Sequence, residues 1–234
     1  MPRVRHARRP RGRRPRSRYA AQRGSPVSWL VEHAGEIAAR TLEHLWLCGT
    51  AFAIALAIAL PLGLFAARRG RVGLPLIAAL DAIYTIPSLA LFALLIPLMG
   101  LGFWTAVTAL VAYAQIILVR NVVAAVQSVP PWMIDAAQGL GMTPLQVFLR
   151  VELPIGAPVA IAGARVAAIS IIAIASVAAW IDAGGLGTMI FAGIERQDIR
   201  LIAAGTLGIA ALALIADGAL RAAEHALRAP ISPA

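Results

Sequence analysis

The chain has 234 residues, 60% of them apolar and only 14% charged, with a mean hydropathy of +0.79. That balance excludes a soluble globular domain and leaves room for five or six helical spans of about 20 residues each. Ten arginines up to position 23 account for the formal charge of +10, residues 24–234 carrying 11 arginines against 11 acids, and the complete absence of lysine excludes a P-loop and Schiff-base lysine chemistry.

Residues 1–24 are arginine, proline and glycine with almost no apolar content, so they cannot bury a core and are expected to form a disordered tail. No apolar stretch follows before Leu45, which makes a secretory leader a poor fit. An over-extended start of the reading frame is the preferred reading, with nucleic-acid or anionic-lipid contact as the alternative. Residues 25–44 read as an amphipathic helix lying along a membrane surface. Val27, Leu30, Ala34, Ile37, Thr41 and Leu45 recur at spacings of three and four, while Glu32, Glu36, Arg40 and Glu43 lie off that stripe.

The transmembrane body is expected over residues 45–222, followed by a C-terminal tail, 223–234. Leu45 to Ala67 is a first span without a charge, ending at Arg68-Arg69-Gly70-Arg71. Leu74 to Gly100 would be about 40 Å long as one helix, too long for a perpendicular crossing of a roughly 30 Å core. Pro87 and Ser88 are expected to kink or split it, giving five spans in all, or six if it splits. Phe103 to Val119 is the third span, Ile155 to Ile181 the fourth and Leu201 to Leu220 the fifth. Arg68, Arg69, Arg71, Arg120, Arg150, Arg221 and Arg228 then share one side and Arg40, Arg196 and Arg200 the other. The positive-inside rule makes the first group cytoplasmic and the N-terminus external. Trp46, Trp104 and Trp180 mark external span ends, and Trp132 falls in a cytoplasmic loop.

A polar, glycine-broken insert from Asn121 to Pro154 separates the third and fourth spans. Pro130 and Pro131 suit a helix start. The helix reaches Ala137 or Gln138 and breaks at Gly139-Leu140-Gly141, where glycine permits positive φ. Thr143 then offers an N-cap, Pro144 fits the first helical position, and Gln146 completes a capping box. The expected product is helix, tight turn, helix, with Leu145, Phe148 and Leu149 on one apolar side.

Asp135-Ala136-Ala137, then Gly141, then Val151-Glu152-Leu153-Pro154 resembles the EAA loop of ABC-importer permeases: E-A-A, three residues, G, nine residues, I-x-L-P. Every spacing is met, with Asp for Glu and Val for Ile. The resemblance implies a coupling helix that fits a groove on a separate cytoplasmic ATPase, carried here by Asp135, Ala136, Ala137, Gly139, Gly141, Met142, Leu145, Phe148, Leu153 and Pro154. Thr85 to Leu91, Leu118 to Asn121, Ala162 to Arg165 and Ala183 to Gly187 resemble one subgroup, the permeases of betaine, choline and carnitine uptake. Asp81, Asp182 and the arginine-rich front depart from it. What this implies is an all-α transmembrane chain of MetI-like permease architecture in the bacterial cytoplasmic (inner) membrane. Its partners would be cytoplasmic ABC ATPases, a second permease copy or paralogue, an extracytoplasmic binding protein and membrane lipids, with no nucleic acid. The chain itself would hold no cofactor, ATP and Mg belonging to the ATPase. The implied cargo is glycine betaine, choline or carnitine, the alternatives being an ABC-importer permease for another small solute such as an amino acid, or a membrane-embedded enzyme.

A permanently charged ammonium needs a polar or aromatic path, and the candidates cluster around the expected break: Tyr84, Thr85, Pro87, Ser88 and Tyr113. Arg165 either lines an inward-facing cavity or sits near the interface. Gly184, Gly185 and Gly187 would form an outer gate by resemblance, or a flexible turn. Asp81 reads as a helix-packing or inter-subunit partner, Asp217 as a snorkelling pair with Arg221. The histidines fall outside the expected spans, so no metal site is expected. Cys48 reads as a small apolar filler.

Overall fold

The computed structural model describes residues 26–228, so the expected arginine-rich tail and residues 229–234 lie outside the described residues. The described residues fall into two units, one up to Ala34 and one from Gly35. In the first, α1 (Pro26–Glu32) is followed by His33, whose ring stacks on Trp29 at 4.2 Å and whose Nδ1 lies 2.9 Å from the Trp29 carbonyl oxygen.

The chain continues as α2 (Ala34–Arg68), α3 (Gly70–Thr85), α4 (Ser88–Met99), α5 (Phe103–Gln127), α6 (Pro131–Gly139) and α7 (Pro144–Val147). A π-helical turn, Phe148–Glu152, leads into α8 (Leu153–Ala178), which closes in a 3-10 turn, Ala179–Ile181; α9 (Gly187–Arg196) and α10 (Ile199–Arg228) follow. No strand occurs among the described residues.

Four helical runs among the described residues are long and apolar enough to cross a membrane: Ala34–Arg68, Phe103–Gln127, Pro144–Ile181 and Ile199–Ala226. α3 and α4, which meet at 97° around Ile86-Pro87, make a fifth candidate when the bent pair is taken as one broken span. The break expected at Pro87 is there, but it does not produce a sixth span. Helices of 16 and 12 residues are each shorter than a bilayer crossing requires.

Other boundaries also differ from expectation. No boundary falls at residue 44, because α2 runs unbroken for 35 residues, about 52 Å. The third span continues past Arg120 to Gln127, and α10 carries helix through to Arg228, into the stretch expected as a tail. Charged residues end an apolar run, yet the backbone hydrogen-bond ladder continues across them at no cost once the helix has left the hydrocarbon.

α8 is the hub, packed against α5 and α10, while α9 packs on α10 and α3 and α4 pack on α5. Between helices in lipid, van der Waals packing rather than the hydrophobic effect drives association, so small residues mark the contacts. α2 buries Ala51, Ala55, Ala59, Gly63 and Ala66 at spacings of three and four. A Cβ on Gly63 would come 2.5 Å from Val122, and one on Gly156 2.7 Å from the Ala125 carbonyl oxygen. On Gly163 it would lie 2.1 Å from Asn121 Cβ. α5 is thus gripped at backbone distance by both α2 and α8. Two polar side chains of the interior bond backbone carbonyls across helices: Gln115 Nε2 donates to Ala55 at 3.2 Å, and His44 Nε2 lies 3.1 Å from Ile172 O.

Candidate functional site: a docking hairpin and a broken-helix path

α6 ends at Gly139 with Leu140 as its cap, and Gly141 follows at φ +78°. The Gly141 N–H donates to Gln138 O at 2.9 Å and the Met142 N–H to Ala137 O at 3.1 Å. Those two bonds are the Schellman pair that closes a helix C-terminus, and they require a left-handed residue where Gly141 stands. One residue later α7 starts on a complete capping box. The Thr143 N–H donates to Gln146 Oε1 at 2.8 Å, and the Gln146 N–H to Thr143 Oγ1 at 3.4 Å, with Pro144 at the first helical position. Local chemistry alone therefore folds the hairpin, as the sequence predicts.

What the hairpin displays is its main functional clue. Ala137 and Val147 face inward and are buried. Trp132, Leu140, Leu145, Leu149 and Leu153 face out, Leu140 being 81% and Leu145 65% exposed. Asp135, Ala136, Gly139, Gly141 and Pro144 are also on the surface, and Met142 is half-buried. A ridge of large apolar side chains with an acid beside it is a surface of the kind that meets a protein partner or a membrane. Phe148 does not join the ridge as expected. It is half-buried, and the Arg68 guanidinium lies 5.7 Å from its ring centroid. The Arg68 guanidinium also donates to Glu152 at 3.0 Å.

At the α3–α4 break, Ile86 and Pro87 are both extended. Tyr113 lies beneath them, and its hydroxyl donates to the Ile86 carbonyl. Tyr84 meets Tyr113 edge-to-face with ring centroids 5.7 Å apart, and Tyr84 is about half exposed. The Thr85 hydroxyl turns back to Ala82 O at 2.7 Å, and Ser88 is half-buried at the start of α4. Tyr84, Pro87 and Tyr113 are thus brought together. Asp81, one turn below, pairs with Arg120 on α5, a helix-packing role.

Arg165 has its partners elsewhere. Its Nε lies 3.1 Å from Asp217 and its guanidinium donates to Glu224 at 3.1 Å, both on α10. Asp217 also accepts from Arg221 at 2.8 Å, so the expected i,i+4 pair exists inside a larger cluster. Asp217 and Glu224 are seven residues apart and share one face of α10, a spacing that could have pointed to a common partner.

The loop 182–186 is pinned to the far end of α2. The Gly185 N–H donates to Glu43 at 3.0 Å, with Gly184 and Gly185 both at positive φ. A Cβ on Gly185 would come 2.8 Å from His44 Nδ1, and one on Gly187 2.0 Å from Ser176 O. His44, expected outside the spans, is fully buried within α2. The Glu43–Gly185 and Arg68–Glu152 contacts lie near opposite ends of α2, about 37 Å apart along the helix.

Residues 59–229 match the family described as the binding-protein-dependent transport system inner membrane component. The chain is 38% identical over 212 residues to the osmoprotectant import permease protein OsmW of Salmonella typhimurium, covering 88% of this chain and 97% of that protein. It is 34% identical over 201 residues to the carnitine transport permease protein OpuCB of Listeria monocytogenes, covering 86% and 92%. Among solved structures it resembles an inward-facing conformation of the MetNI methionine ABC transporter, with a TM-score of 0.75 at 20% identity over 87% of this chain and 99% of that one. At that identity the likeness establishes the fold.

Proposed function

We propose a cargo and a set of partners from one premise: this chain belongs to the family of binding-protein-dependent transport system inner membrane components. It is a multi-pass permease subunit of an ATP-binding-cassette importer in the inner membrane. The cargo we infer is a quaternary-ammonium osmoprotectant such as glycine betaine, choline or carnitine. The observation that carries this is the identity, over most of the chain, to permeases whose names specify osmoprotectant and carnitine import.

The broken-helix site supports that reading chemically. A quaternary ammonium offers no N–H to donate and cannot shed its charge, so aromatic faces are what recognise it. The exposed Tyr84 ring, oriented by Tyr113 beneath it, supplies one beside an irregular backbone turn of the kind that lines transport pathways. Thr85 and Ser88 add hydroxyls along the same path. Arg165, tied to α10, serves as a structural strut beside the path instead of as its lining.

The hairpin is the ATPase-coupling element of this proposal, presenting Trp132, Leu140, Leu145 and Leu149, with Asp135 at its edge, to a cytoplasmic ATPase. ATP and Mg belong to that partner, the chain needing no cofactor and having no enzymatic role of its own. The absence of lysine from all 234 residues is in keeping with nucleotide chemistry on another polypeptide. A second permease, identical or paralogous, completes the pathway, and a binding protein delivers cargo at the end carrying Gly184, Gly185 and Gly187, the outer gate. Closure of the ATPase pair draws the hairpins together and rocks each permease between inward- and outward-facing states.

Proteoliposomes holding the permease, its ATPase and its binding protein should import labelled glycine betaine, choline or carnitine only when ATP is present. Import of an amino acid with no competition from any quaternary ammonium compound discards the cargo and leaves the permease assignment standing.

A further inference from the structure

The π-helical turn between the hairpin and α8 is five residues long, Phe148 to Glu152, closed by a hydrogen bond from the Leu153 N–H to the Phe148 carbonyl. Such a turn holds one more residue than an α-helical turn, and these turns are frequent at functional sites. Here it joins the segment that meets the partner to the helix that forms the hub of the fold, and one side chain from another helix holds both of its ends. Arg68, the last residue of α2, donates to the Glu152 carboxylate at 3.0 Å and lies 5.7 Å from the centroid of the Phe148 ring. Glu152 is largely shielded, its side chain 12% exposed, while Arg68 is 54% exposed. Glu152 occupies the unspecified position of the I-x-L-P pattern, so the motif gives it no role.

The surroundings suit a moving joint. A cleft of about 250 Å³ lies beside the turn, lined by Leu64, Arg68, Pro144, Leu145 and Phe148. Immediately beyond it, Gly156 brings α8 against the α5 backbone, where a Cβ would come 2.7 Å from Ala125 O. Room beside Phe148 on the hairpin side, with α8 held to the α5 backbone at Gly156, leaves the turn as the place where the two can bend relative to each other.

We propose that Arg68 is a positioning residue for energy coupling. Its guanidinium straps the π turn to the end of α2, so a displacement of the hairpin reaches α2 and α8 together instead of being absorbed by bending of the turn. This rests on the hairpin being the ATPase-coupling element. Arg68 is more than half exposed and meets Glu152 at the end of its helix, so an Arg68 variant changes chiefly what the hairpin transmits and not whether the chain folds.

The test uses the complete complex in proteoliposomes and reads ATP hydrolysed per glycine betaine imported, with co-purification of the ATPase as the control for assembly. Arg68→Gln and Glu152→Gln should each bind the ATPase as wild type does and raise that ratio about threefold or more, the size expected when a coupling contact is lost. The reversed pair, Arg68→Glu with Glu152→Arg, should return the ratio toward wild type, which a merely structural defect at either position would not do. An unchanged ratio in both single variants overturns the strap, as does a reversed pair no better than either single change. Failure of the wild-type permease to bind the ATPase overturns the coupling reading itself, and the strap with it.

Discussion

A valine at position 141 would hold its backbone at φ +78°, in the left-handed region that β-branched residues avoid, at a cost of about 1–2 kcal/mol. No atom obstructs a Cβ there, so the penalty comes from backbone conformation and not from crowding. Gly141→Val should therefore distort the hairpin, leave membrane insertion normal and abolish uptake, while Gly141→Asn, which tolerates this conformation, should retain much of it. Uptake assays on membranes with matched expression decide this, and full transport by the valine variant contradicts the role given to the turn. Gly163 poses the opposite problem. Its φ is ordinary, but a Cβ would sit 2.1 Å from Asn121 Cβ, so α8 would have to move off α5. Gly163→Leu should lower the thermal midpoint of the detergent-solubilised protein sharply, whereas Gly218→Ala, where nothing lies within 4 Å, should leave it unchanged or slightly raised.

Between elements, the cluster of Arg165 with Asp217 and Glu224 ties α8 to α10. Arg165→Met should cost about 3 kcal/mol, because the nearly buried Glu224 loses that guanidinium. Asp217→Asn should cost less, since it keeps the Arg165–Glu224 bond, and unfolding curves of the two variants test the order. This cluster was not legible in the sequence, where Arg165 stood alone amid apolar residues and its partners lay more than fifty positions away. The hairpin was legible, because a left-handed glycine, a capping box and a proline at the first helical position act within a few residues of one another. The break at Pro87 was legible for the same reason. Helix ends were read less well: hydropathy marks where lipid ends, while the α2 ladder runs on from residue 45 back to 34 regardless. His44 and Glu43 were placed on a surface helix because only packing reveals that Ile172 and Gly185 lie against them.

For the whole molecule, the arginine asymmetry predicts a cytoplasmic hairpin and an external position for residue 28. A cysteine at Ser28 should react with an impermeant thiol reagent in intact cells and one at Gln146 should not, the native Cys48 being buried; the reverse pattern inverts the orientation. The account as a whole turns on what the exposed ridge of the hairpin touches. A photoreactive residue at Leu145 in the assembled, transport-competent complex, with a second at Trp104 near the opposite end of the bundle, addresses that contact directly by mass spectrometry of the adducts. The predicted result is an adduct between position 145 and the ATPase and none between position 104 and the ATPase. Adducts from position 145 confined to lipid or to the companion permease would contradict it.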